Sequence, residues 1–415
     1  MKIGIIGTGI AGLGIAHLLH TAHDITIYEP NNYPGGHSRT IDIIDKDRAV
    51  PVDTGFIVFN HRNYPHLTAL FKYLDVPTTP SRMSFGASIS KGWLEYASTG
   101  MFAQKSNLLR PAFWGMVTDI LRFNRTALAY IGDRTDMTLR ECLDGMRMGD
   151  WFRRYYLQAM GAAIWSCPVE TILEFPAHSF LRFFENHGLL TVNDHPQWHT
   201  VKGGSREYVA RLTAPFKDRI RLQCGAQQVR REGNAVFIHD TRGDTEKYDA
   251  VIFACHADEA RRLLQEPSAD EERILSSFKY QENRVVVHTD TSFMPRRRAC
   301  WSSWVYLSET HEDKSDCVSL SYWMNNLQAF ETETPVIITL NPGRAPAAHL
   351  IHDEYVFDHP VFTREAVAAQ SQIDSIQGVA NIWYCGAYQR YGFHEDGLLS
   401  AVNVAAKLGI TPPWL

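Results

Sequence analysis

The chain has 415 residues, of which 45% are hydrophobic and 21% are charged, and its formal net charge is −5 at neutral pH. This length supports two or three domains with cores of their own, and the composition is that of an ordinary globular protein. The small negative charge gives no reason to expect a nucleic acid as partner, and no stretch reaches the roughly 18 apolar residues of a membrane-spanning helix.

The cysteines and the first residues indicate the compartment. The seven cysteines are scattered and include no Cys-x-x-Cys pair, which argues against a disulfide framework or a structural zinc site and suits a reducing compartment. Between Lys2 and Asp24 histidine is the only ionisable residue, as in a signal peptide, but the glycines there are too dense for a stable apolar helix. We therefore expect a cytoplasmic protein.

The first elements predict a nucleotide site. "KIGIIGTGIAGLGIAHLL" has the pattern of a buried strand, a tight turn and an apolar helix, with Gly7, Gly9 and Gly12 in a G-x-G-x-x-G motif. Such glycines allow the turn, the approach of a pyrophosphate and close packing of helix on strand. "DITIYE" predicts a second strand, and Glu29 stands where an acid binds the ribose hydroxyls of a dinucleotide and disfavours NADP.

The next segment discriminates between NAD and FAD, which share that motif. Gly35 and Gly36 allow a second close approach of the backbone, and Arg39 and Thr40 supply donors for a phosphate. "AVPVDTGFIVFN" then predicts a strand that ends at Gly55, where backbone can meet a flat ring. An extended ligand such as FAD needs this second glycine pair, whereas a simple dehydrogenase does not.

At this point the sequence resembles a known superfamily. The G-x-G-x-x-G motif, Glu29, Gly35-Gly36-x-x-Arg39-Thr40 and Asp53-x-Gly55 resemble the flavin-containing amine oxidases and phytoene desaturases. "VDTGFIVFN", "SYWMNNLQ" and "GFHEDGLLSA" are similar to a narrower bacterial group of amine-oxidase-like proteins. Members of that group are often encoded beside cyclopropane-fatty-acid-synthase-like methyltransferases, which suggests lipid metabolism.

The resemblance extends from end to end and implies the fold. We expect the α/β class, with a Rossmann-like FAD-binding domain of the GR2 type interleaved with a mixed α+β substrate domain. The expected FAD-binding domain comprises residues 1–59, 196–270 and 375–415, and the expected substrate domain comprises 60–195 and 271–374. The implied FAD is non-covalent, because Cys385 lies in a strand and not in the attachment motif of monoamine oxidases.

One helix of the substrate domain has two interpretations. Residues 101–132 carry four basic residues and one acid, with large apolar residues at largely helical spacing. A basic amphipathic helix can lie on the inner face of an anionic membrane or flank a lipid channel. The ordinary alternative is a helix that packs on the core and turns a basic side to solvent.

The middle of the chain returns to the nucleotide domain. "VKGGSREYVARL" predicts a helix after a glycine pair, and short strands are expected at 219–224, 227–231 and 235–239. "KYDAVIFACHADEARRLL" predicts a buried strand that feeds a helix. The resemblance implies that the backbone of Val229 holds the adenine end of FAD.

The C-terminal segment "GAYQRYGFHEDGLLSAV" is rich in aromatics and glycines. A strand is expected to end at Gly386, and a helix to run from near Gly397 to Lys407 with Gly409 as its stop. The resemblance implies that this helix points its N-terminus, and the N–H of Leu398, at the N1 and O2 edge of the flavin. His394 and Glu395 would then face the space above the ring.

The motifs and the resemblance together assign a set of cofactor residues. These are Gly7, Gly9, Ile10, Ala11, Gly12, Glu29, Pro30, Gly35, Gly36, His37, Arg39, Thr40, Gly55, Phe56, Ile57, Val229, Gly386, Asp396, Gly397 and Leu398. His37 stands where many relatives have arginine, so its phosphate contact is open and Arg39 could compensate. We expect no metal site, because the cluster of His349, His352, Asp353 and Glu354 has no clear third ligand and better fits the approach to a strand.

The function we predict is an FAD-dependent oxidoreductase that removes a hydride from a C–H bond. Glu395 and His394 are the candidate bases, and the structural alternative is that Glu395 or Asp396 caps the last helix. The expected substrate is an unsaturated or methyl-branched fatty acyl chain that is desaturated or isomerised. Amine oxidation is the second reading, although Asn283 and Arg284 stand where amine oxidases have a lysine near flavin N5. A non-catalytic flavin- and lipid-binding protein is the third, and the electron acceptor, which could be oxygen, is open.

Overall fold

The structure is a computed structural model that describes residues 1–134, 136–165, 169–191, 195–309 and 319–414. Five of the cysteines are free thiols: Cys142, Cys224, Cys255, Cys300 and Cys385. Cys167 and Cys317 lie outside the described residues.

The elements are numbered in chain order. The strands are β1 (Lys2–Ile6), β2 (Asp24–Tyr28), β3 (Thr40–Asp45), β4 (Arg48–Asp53), β5 (Phe59–Asn60), β6 (Thr78–Ser81), β7 (Phe85–Ile89), β8 (Leu94–Ala97), β9 (Trp198–Val201), β10 (Ile220–Arg221), β11 (Ala226–Glu232), β12 (Ala235–Asp240), β13 (Thr245–Tyr248), β14 (Ala250–Phe253), β15 (Lys279–His288), β16 (Trp304–Ser308), β17 (Ser319–Trp323), β18 (Ile337–Leu340), β19 (Ile351–Val361) and β20 (Ile382–Tyr384). The helices are α1 (Ile10–Leu19), α2 (Pro65–Tyr73), α3 (Pro111–Ile131), α4 (Leu139–Gly145), α5 (Asp150–Phe152), α6 (Gln158–Trp165), α7 (Val169–Leu173), α8 (Ala177–Asn186), α9 (Arg206–Thr213), α10 (Ala257–Leu263), α11 (Ala269–Leu275), α12 (Met324–Leu327), α13 (Arg364–Gln370) and α14 (His394–Lys407).

A five-stranded parallel sheet holds the N-terminal motif. Its order is β10-β2-β1-β14-β20. β14 and, after Lys2, β1 are continuous apolar runs because both faces of the sheet are covered, and β14 is buried at every position. α1 is buried along its whole length and packs against α14. This arrangement confirms the predicted α/β, Rossmann-like class.

A second, larger sheet is mixed and has seven strands in the order β19-β15-β18-β17-β16-β7-β8. Its pairs are antiparallel except for β16 with β7. A cluster of buried side chains, many of them from α3 to α8, packs with residues of β7 and β8. Smaller antiparallel sheets are β11-β12-β13, β3-β4 and β5-β9-β6. The boundaries of the two expected domains stay a prediction.

The buried carboxylate of Asp53 ties distant segments together. Its Oδ1 accepts hydrogen bonds from the Thr40 hydroxyl at 2.6 Å and from the backbone N–H and the hydroxyl of Ser205 at 2.8 Å. Its Oδ2 accepts from Gln328 Nε2 at 3.0 Å, while Gln328 Oε1 accepts the Asp53 N–H at 2.9 Å. The side chain is 0% exposed, so four donors replace the water that burial removes.

Several element boundaries differ from the sequence predictions. The strand expected to end at Gly55 ends at Asp53, and the one expected at 219–224 is reduced to Ile220–Arg221. The helix expected over 101–132 divides into a short 3-10 turn, Lys105–Leu109, and α3. Pro111 explains this division, because it lacks an N–H and favours the first position of a helix. Within the described ranges, every helix falls short of the length or the hydropathy that a bilayer span requires.

Candidate functional site

The turn between β1 and α1 is closed by backbone contacts that require glycine. Gly7 has φ +105°, and a Cβ there would lie 2.7 Å from the carbonyl oxygen of Ala254. A Cβ at Gly12 would lie 2.0 Å from the carbonyl oxygen of Gly7. These two glycines are therefore needed for the packing of the protein itself.

Gly9 is different, because a Cβ at this position would meet no atom within 4 Å. The first hydrogen bond of α1 joins the Leu13 N–H to the Gly9 carbonyl at 2.9 Å. The N–H groups of Ile10, Ala11 and Gly12 lie ahead of that bond, and no side chain caps the helix. Open space beside free N–H groups at the positive end of a helix fits a pyrophosphate.

Glu29 ends up at the carboxyl edge of the sheet, after β2, as predicted, and its carboxylate is buried. It accepts hydrogen bonds from the Thr8 hydroxyl and from the backbone and side-chain N–H groups of Asn31, the latter two at 2.8 Å. Pro30 follows it and contacts Gly225, where an added Cβ would lie 3.1 Å from the proline. A carboxylate has about four acceptor positions, and these three hydrogen bonds leave room for a ribose hydroxyl. The ribose contact itself stays a prediction.

The second glycine pair lies against the first motif. The Gly35 N–H donates to the Thr8 carbonyl at 3.0 Å, and a Cβ at Gly36 would lie 3.0 Å from Gly9 Cα. A Cβ at Gly55 would lie 2.2 Å from the carbonyl oxygen of His37, which accepts the Phe56 N–H at 2.8 Å. The three predicted glycine segments therefore converge on one cradle.

Arg39 and Thr40 make contacts within the protein. The guanidinium of Arg39 forms a two-point ion pair with Asp353 of β19, at 2.7 and 3.2 Å, and lies 4.4 Å from the centre of the Tyr355 ring. Thr40 donates to Asp53, as described above. Because Arg39 is neutralised by Asp353, the idea that it supplies the phosphate charge in place of His37 gains no support from these contacts.

Two further predicted cofactor residues, Val229 and Ile57, have backbone carbonyls with partners in the structure. The carbonyl of Val229 in β11 accepts the N–H of Gln265 at 2.9 Å, and the residue is fully buried. The carbonyl of Ile57 accepts the Thr200 hydroxyl at 2.7 Å. An adenine contact at Val229 stays a prediction.

The last helix begins three residues earlier than predicted, at His394. The Asp396 carboxylate accepts the Phe393 N–H at 3.0 Å and so closes the first turn, and its burial raises its pKa to about 6. Leu398 therefore lies inside the helix, where its N–H is not among the free ones, and its side chain packs against Gly14 of α1. The first amides of α14 are the free ones, and a contact between the Leu398 N–H and the flavin edge stays a prediction.

Two glycines let this helix and the preceding loop approach the cradle. A Cβ at Gly397 would lie 2.8 Å from the Ile10 side chain at the start of α1, so the N-termini of α1 and α14 come together. Gly386 donates its N–H to the Ser400 hydroxyl at 2.8 Å, which joins the end of β20 to α14.

His394 is fixed against the FAD-side segments. Its ring stacks on Phe56 with the centroids 3.9 Å apart, and Nε2 lies 2.9 Å from Ser38 Oγ and 2.8 Å from the Tyr208 hydroxyl. Burial lowers its pKa to about 3, so the ring is neutral at physiological pH. A neutral imidazole held by two hydrogen-bonding contacts is well placed to orient a neighbouring group. Its role as a base stays a prediction.

Glu395 points away from His394 toward α2. Its two carboxylate oxygens accept the backbone N–H groups of His66 and Leu67, each at 2.9 Å. The group is 6% exposed, and burial raises its pKa to about 7. It lines a polar cavity of about 510 Å³ together with Arg62, Asn63, Pro65, His66, Glu185, Asn186, Arg390 and Leu399. The prediction that Glu395 or Asp396 could simply cap the last helix is thus modified. Glu395 caps the N-terminus of α2, and Asp396 caps its own helix, α14.

An aromatic wall connects the C-terminal segment with the helical cluster, and we define it as Phe183, His187, Trp198, Tyr391 and Phe393. Phe183 of α8 stacks on Phe393 at 5.1 Å and on His187 at 3.9 Å, and lies 5.9 Å from Tyr391. His187 lies 6.4 Å from Trp198. Burial lowers the pKa of His187 to about 4, so every member of the wall is uncharged near neutral pH.

Sequence reasoning missed a cluster of histidines beside the cradle. The His37 ring lies 6.1 Å from that of His256 and 5.4 Å from that of His359. His256 follows β14 at the same carboxyl edge as Gly7, a position at which α/β proteins place ligand-binding residues. "FACHAD" therefore carried a signal for His256, whereas His359 gave no comparable signal.

Comparison with known proteins agrees with the class that the cradle defines, an FAD-dependent oxidoreductase. Residues 10–356 match the family described as flavin containing amine oxidoreductase. The chain belongs to this family, and its cofactor is FAD.

Individual relatives are more distant. The chain is 23% identical over 267 residues to the protein named "Putative flavin-containing monoamine oxidase AofH" of Mycobacterium tuberculosis. The match covers 61% of this chain and 56% of the relative, so the chain spans about half the length of that curated relative.

Solved structures share the fold over nearly the whole chain. The fatty acid isomerase from P. acnes, which produces CLA, has a TM-score of 0.69 at 14% identity and covers 98% of both chains. Cyclohexylamine oxidase from Brevibacterium oxydans has a TM-score of 0.70 at 13% identity and covers 98% of this chain and 99% of its own. At this identity the likeness establishes the fold alone.

Proposed function

We propose that this oxidoreductase removes a hydride from a C–H bond of an unsaturated or methyl-branched fatty acyl chain, and so desaturates or isomerises it. The observation that carries the proposal is the uncharged aromatic wall between the cradle side of α14 and the helical cluster. When bound, FAD supplies the hydride acceptor at N5 of its ring. The protein supplies position, exclusion of water and the handling of a proton.

The wall favours a hydrocarbon substrate for a physical reason. Aromatic rings bind an apolar chain by burying its surface, at about 25 cal/mol per Å², and no ion has to be desolvated. The fold neighbour from P. acnes acts on a fatty acid, according to its printed name, so this architecture can accept such a chain.

Formation of a double bond also releases a proton, and the two candidate bases differ in suitability. Glu395 has a pKa of about 7, close to the pH at which a general base works best, and its polar cavity gives a path for the proton. His394, with a pKa of about 3, would hold a proton poorly. We therefore assign proton transfer to Glu395 and orientation to His394.

Amine oxidation is the second candidate function, because it is the activity named for the family and for the mycobacterial relative. Aromatic faces also attract ammonium groups, and this property of the wall is the observation that favours an amine. A flavin protein that binds a lipid without turnover is the third.

The test is anaerobic mixing of the FAD-loaded protein with two panels, fatty acyl lipids and primary or secondary amines. We expect acyl lipids to bleach the oxidised-flavin absorbance, or to be returned as positional isomers detected by mass spectrometry. Glu395→Gln should slow the reaction, while His394→Gln should mainly weaken substrate binding. Bleaching by amines alone would overturn the substrate assignment, and spectral shifts without turnover would favour a binding protein.

We also propose that an exposed apolar patch contacts an anionic membrane surface, as the source of such a substrate. The patch comprises Phe102, Leu108, Leu109 and Trp114. Leu109 is 86% exposed and Trp114 is 44% exposed, and the Phe102 and Trp114 rings lie 5.5 Å apart. Two basic residues, Lys105 and Arg110, stand within it in sequence, as on helices that bind anionic lipid.

Vesicle sedimentation checks this contact. We expect binding to phosphatidylglycerol vesicles and little binding to phosphatidylcholine vesicles, because the basic residues add attraction for anionic lipid. Leu109→Asp should weaken binding at least about tenfold, since burial of a leucine side chain contributes roughly 1.5–3 kcal/mol. The matched control is Ile44→Asp, which replaces another large apolar residue, 68% exposed, outside the patch. Equal binding to both lipids, or equal effects of the two variants, would contradict the proposal.

A further inference from the structure

Three histidines from separate segments meet beside the pyrophosphate cradle. His37 follows Gly36 of the second glycine pair, His256 follows the end of β14, and His359 belongs to β19. The His37 ring also stacks on Phe357 at 4.6 Å, and His256 stacks on Tyr280 at 4.3 Å. These aromatic contacts hold the rings in place, and Gly36, the neighbour of His37, packs against Gly9.

Hydrogen bonds fix the tautomer of His359. The Arg284 N–H, which can only donate, bonds to Asn341 Oδ1 at 2.8 Å. Asn341 Nδ2 then donates to Asn283 Oδ1 at 2.7 Å, so Asn283 Nδ2 donates both to the Gln281 carbonyl and to His359 Nδ1, the latter at 2.8 Å. His359 Nδ1 is thus an acceptor, and its proton is on Nε2.

Hydrogen bonds also show how His37 differs from His359. One of its ring nitrogens donates to the backbone carbonyl of Asp358, so in the neutral ring a proton would be added at the other nitrogen. Protonation of His359 at Nδ1 would instead break its bond with Asn283. His37 can therefore become a cation and keep its bond with Asp358, whereas His359 cannot keep its bond with Asn283.

Charge balance then suggests what the cluster does. The pyrophosphate of FAD is a dianion, and the nearby Arg39 is already neutralised by Asp353. We propose that His37, His256 and His359 form a phosphate-binding cluster of FAD, and that FAD binding is coupled to uptake of a proton by His37. This inference rests on the cofactor and is independent of the proposed substrate.

The groups that surround His37 set the direction of the effect. His256 faces it from the residue before α10, His359 from β19 and His394 from α14. Around His256 stand Glu259, which accepts the His256 N–H, and Tyr280 of β15, with Asp258 near Tyr280. Burial, followed by the neighbouring histidines, lowers the pKa of His37 in the protein without ligand. A bound dianion raises that pKa, because an opposite charge favours the protonated form.

The coupling between FAD binding and proton uptake predicts the direction in which FAD affinity changes with pH. Between the lowered pKa of the free protein and the raised pKa of the complex, the complex holds a proton that the free protein lacks. FAD should therefore bind tightly at low pH and dissociate more readily as the pH rises, by about tenfold in Kd per pH unit for a single proton. The dependence should level off above the pKa that His37 has in the complex.

The experiment measures FAD release from the loaded protein on dilution, as recovery of flavin fluorescence, from pH 6 to pH 9. We expect the Kd of the wild type to rise with pH. His37→Arg should bind FAD tightly at every pH, and His37→Gln should bind it weakly at every pH. His359→Gln should weaken binding but keep the slope, while His352→Gln, an exposed histidine on the same strand, should change neither.

A pH-independent Kd in the wild type, or the wild-type slope in His37→Gln, would overturn the proposal. If the His37 variants lose FAD during purification, proton release from the wild-type protein tests the coupling instead. FAD release from it in weakly buffered solution should acidify an indicator dye by about one proton per flavin, and release without a pH change would reject the coupling.

Discussion

Gly9→Ala is expected to give a folded protein that has lost most of its affinity for FAD. A Cβ at this position meets no protein atom within 4 Å, and the backbone of Gly9, with φ −64° and ψ 179°, suits alanine. The methyl group would occupy the space in front of the α1 N-terminus where the pyrophosphate is expected. Overpacking of this kind costs about 1–3 kcal/mol, roughly a 5- to 150-fold rise in Kd.

Flavin content after purification and the Kd of FAD measure this effect, with circular dichroism as the check on folding. Gly115→Ala is the matched control, because its Cβ also meets nothing within 4 Å but lies on α3, where alanine stabilises a helix. Gly12→Ala should behave differently from both, since its Cβ would lie 2.0 Å from the Gly7 carbonyl and should impair folding. A Gly9→Ala protein that retains FAD like the wild type would contradict the location of the cofactor.

Asp53→Asn is expected to destabilise the protein by about 3 kcal/mol, although the two side chains have the same shape. The amide NH₂ of asparagine would face either Thr40 and Ser205 or Gln328 Nε2, all of which donate to Asp53. Gln328 cannot turn to compensate without losing its bond to the Asp53 N–H. A buried donor would thus be left without an acceptor, and the midpoint of urea unfolding should fall.

Asp374→Asn provides the control for this substitution. Asp374 pairs with Lys407 at 2.8 Å, but its side chain is 83% exposed, and surface ion pairs contribute about 0–1 kcal/mol. Equal unfolding midpoints for the two variants would show that the Asp53 network contributes little to stability.

The parts of the fold and site that depend on local backbone geometry could be predicted from the sequence. Gly7 and Gly12 stand at fixed spacing because the turn requires them, Gly9 keeps the space in front of α1 open, and Glu29 follows from the next strand. The C-terminal helix was placed only approximately. Its first turn is closed by the Asp396 side chain on Phe393, and phenylalanine is not a residue that signals a helix start.

Features that depend on pairing between distant segments could not be predicted from the sequence. His359 reaches the cradle because β19 pairs with β15, and its orientation depends on Asn341 of another segment. The sequence predicts Glu395 as a candidate base, but only the position of α2 reveals that its carboxylate accepts the His66 and Leu67 amides. Neither arrangement leaves a periodic pattern that a single sequence could display.

The most direct test of the central proposal is whether a C–H bond of an acyl chain breaks at this site. The FAD-loaded protein would be mixed with an unsaturated fatty acid and with the same acid deuterated beside its double bonds, and conversion would be followed by mass spectrometry. The account predicts slower conversion of the deuterated chain, with deuterium lost or moved to another carbon. Unchanged acids in both samples, together with rapid bleaching of the flavin by an amine, would contradict it.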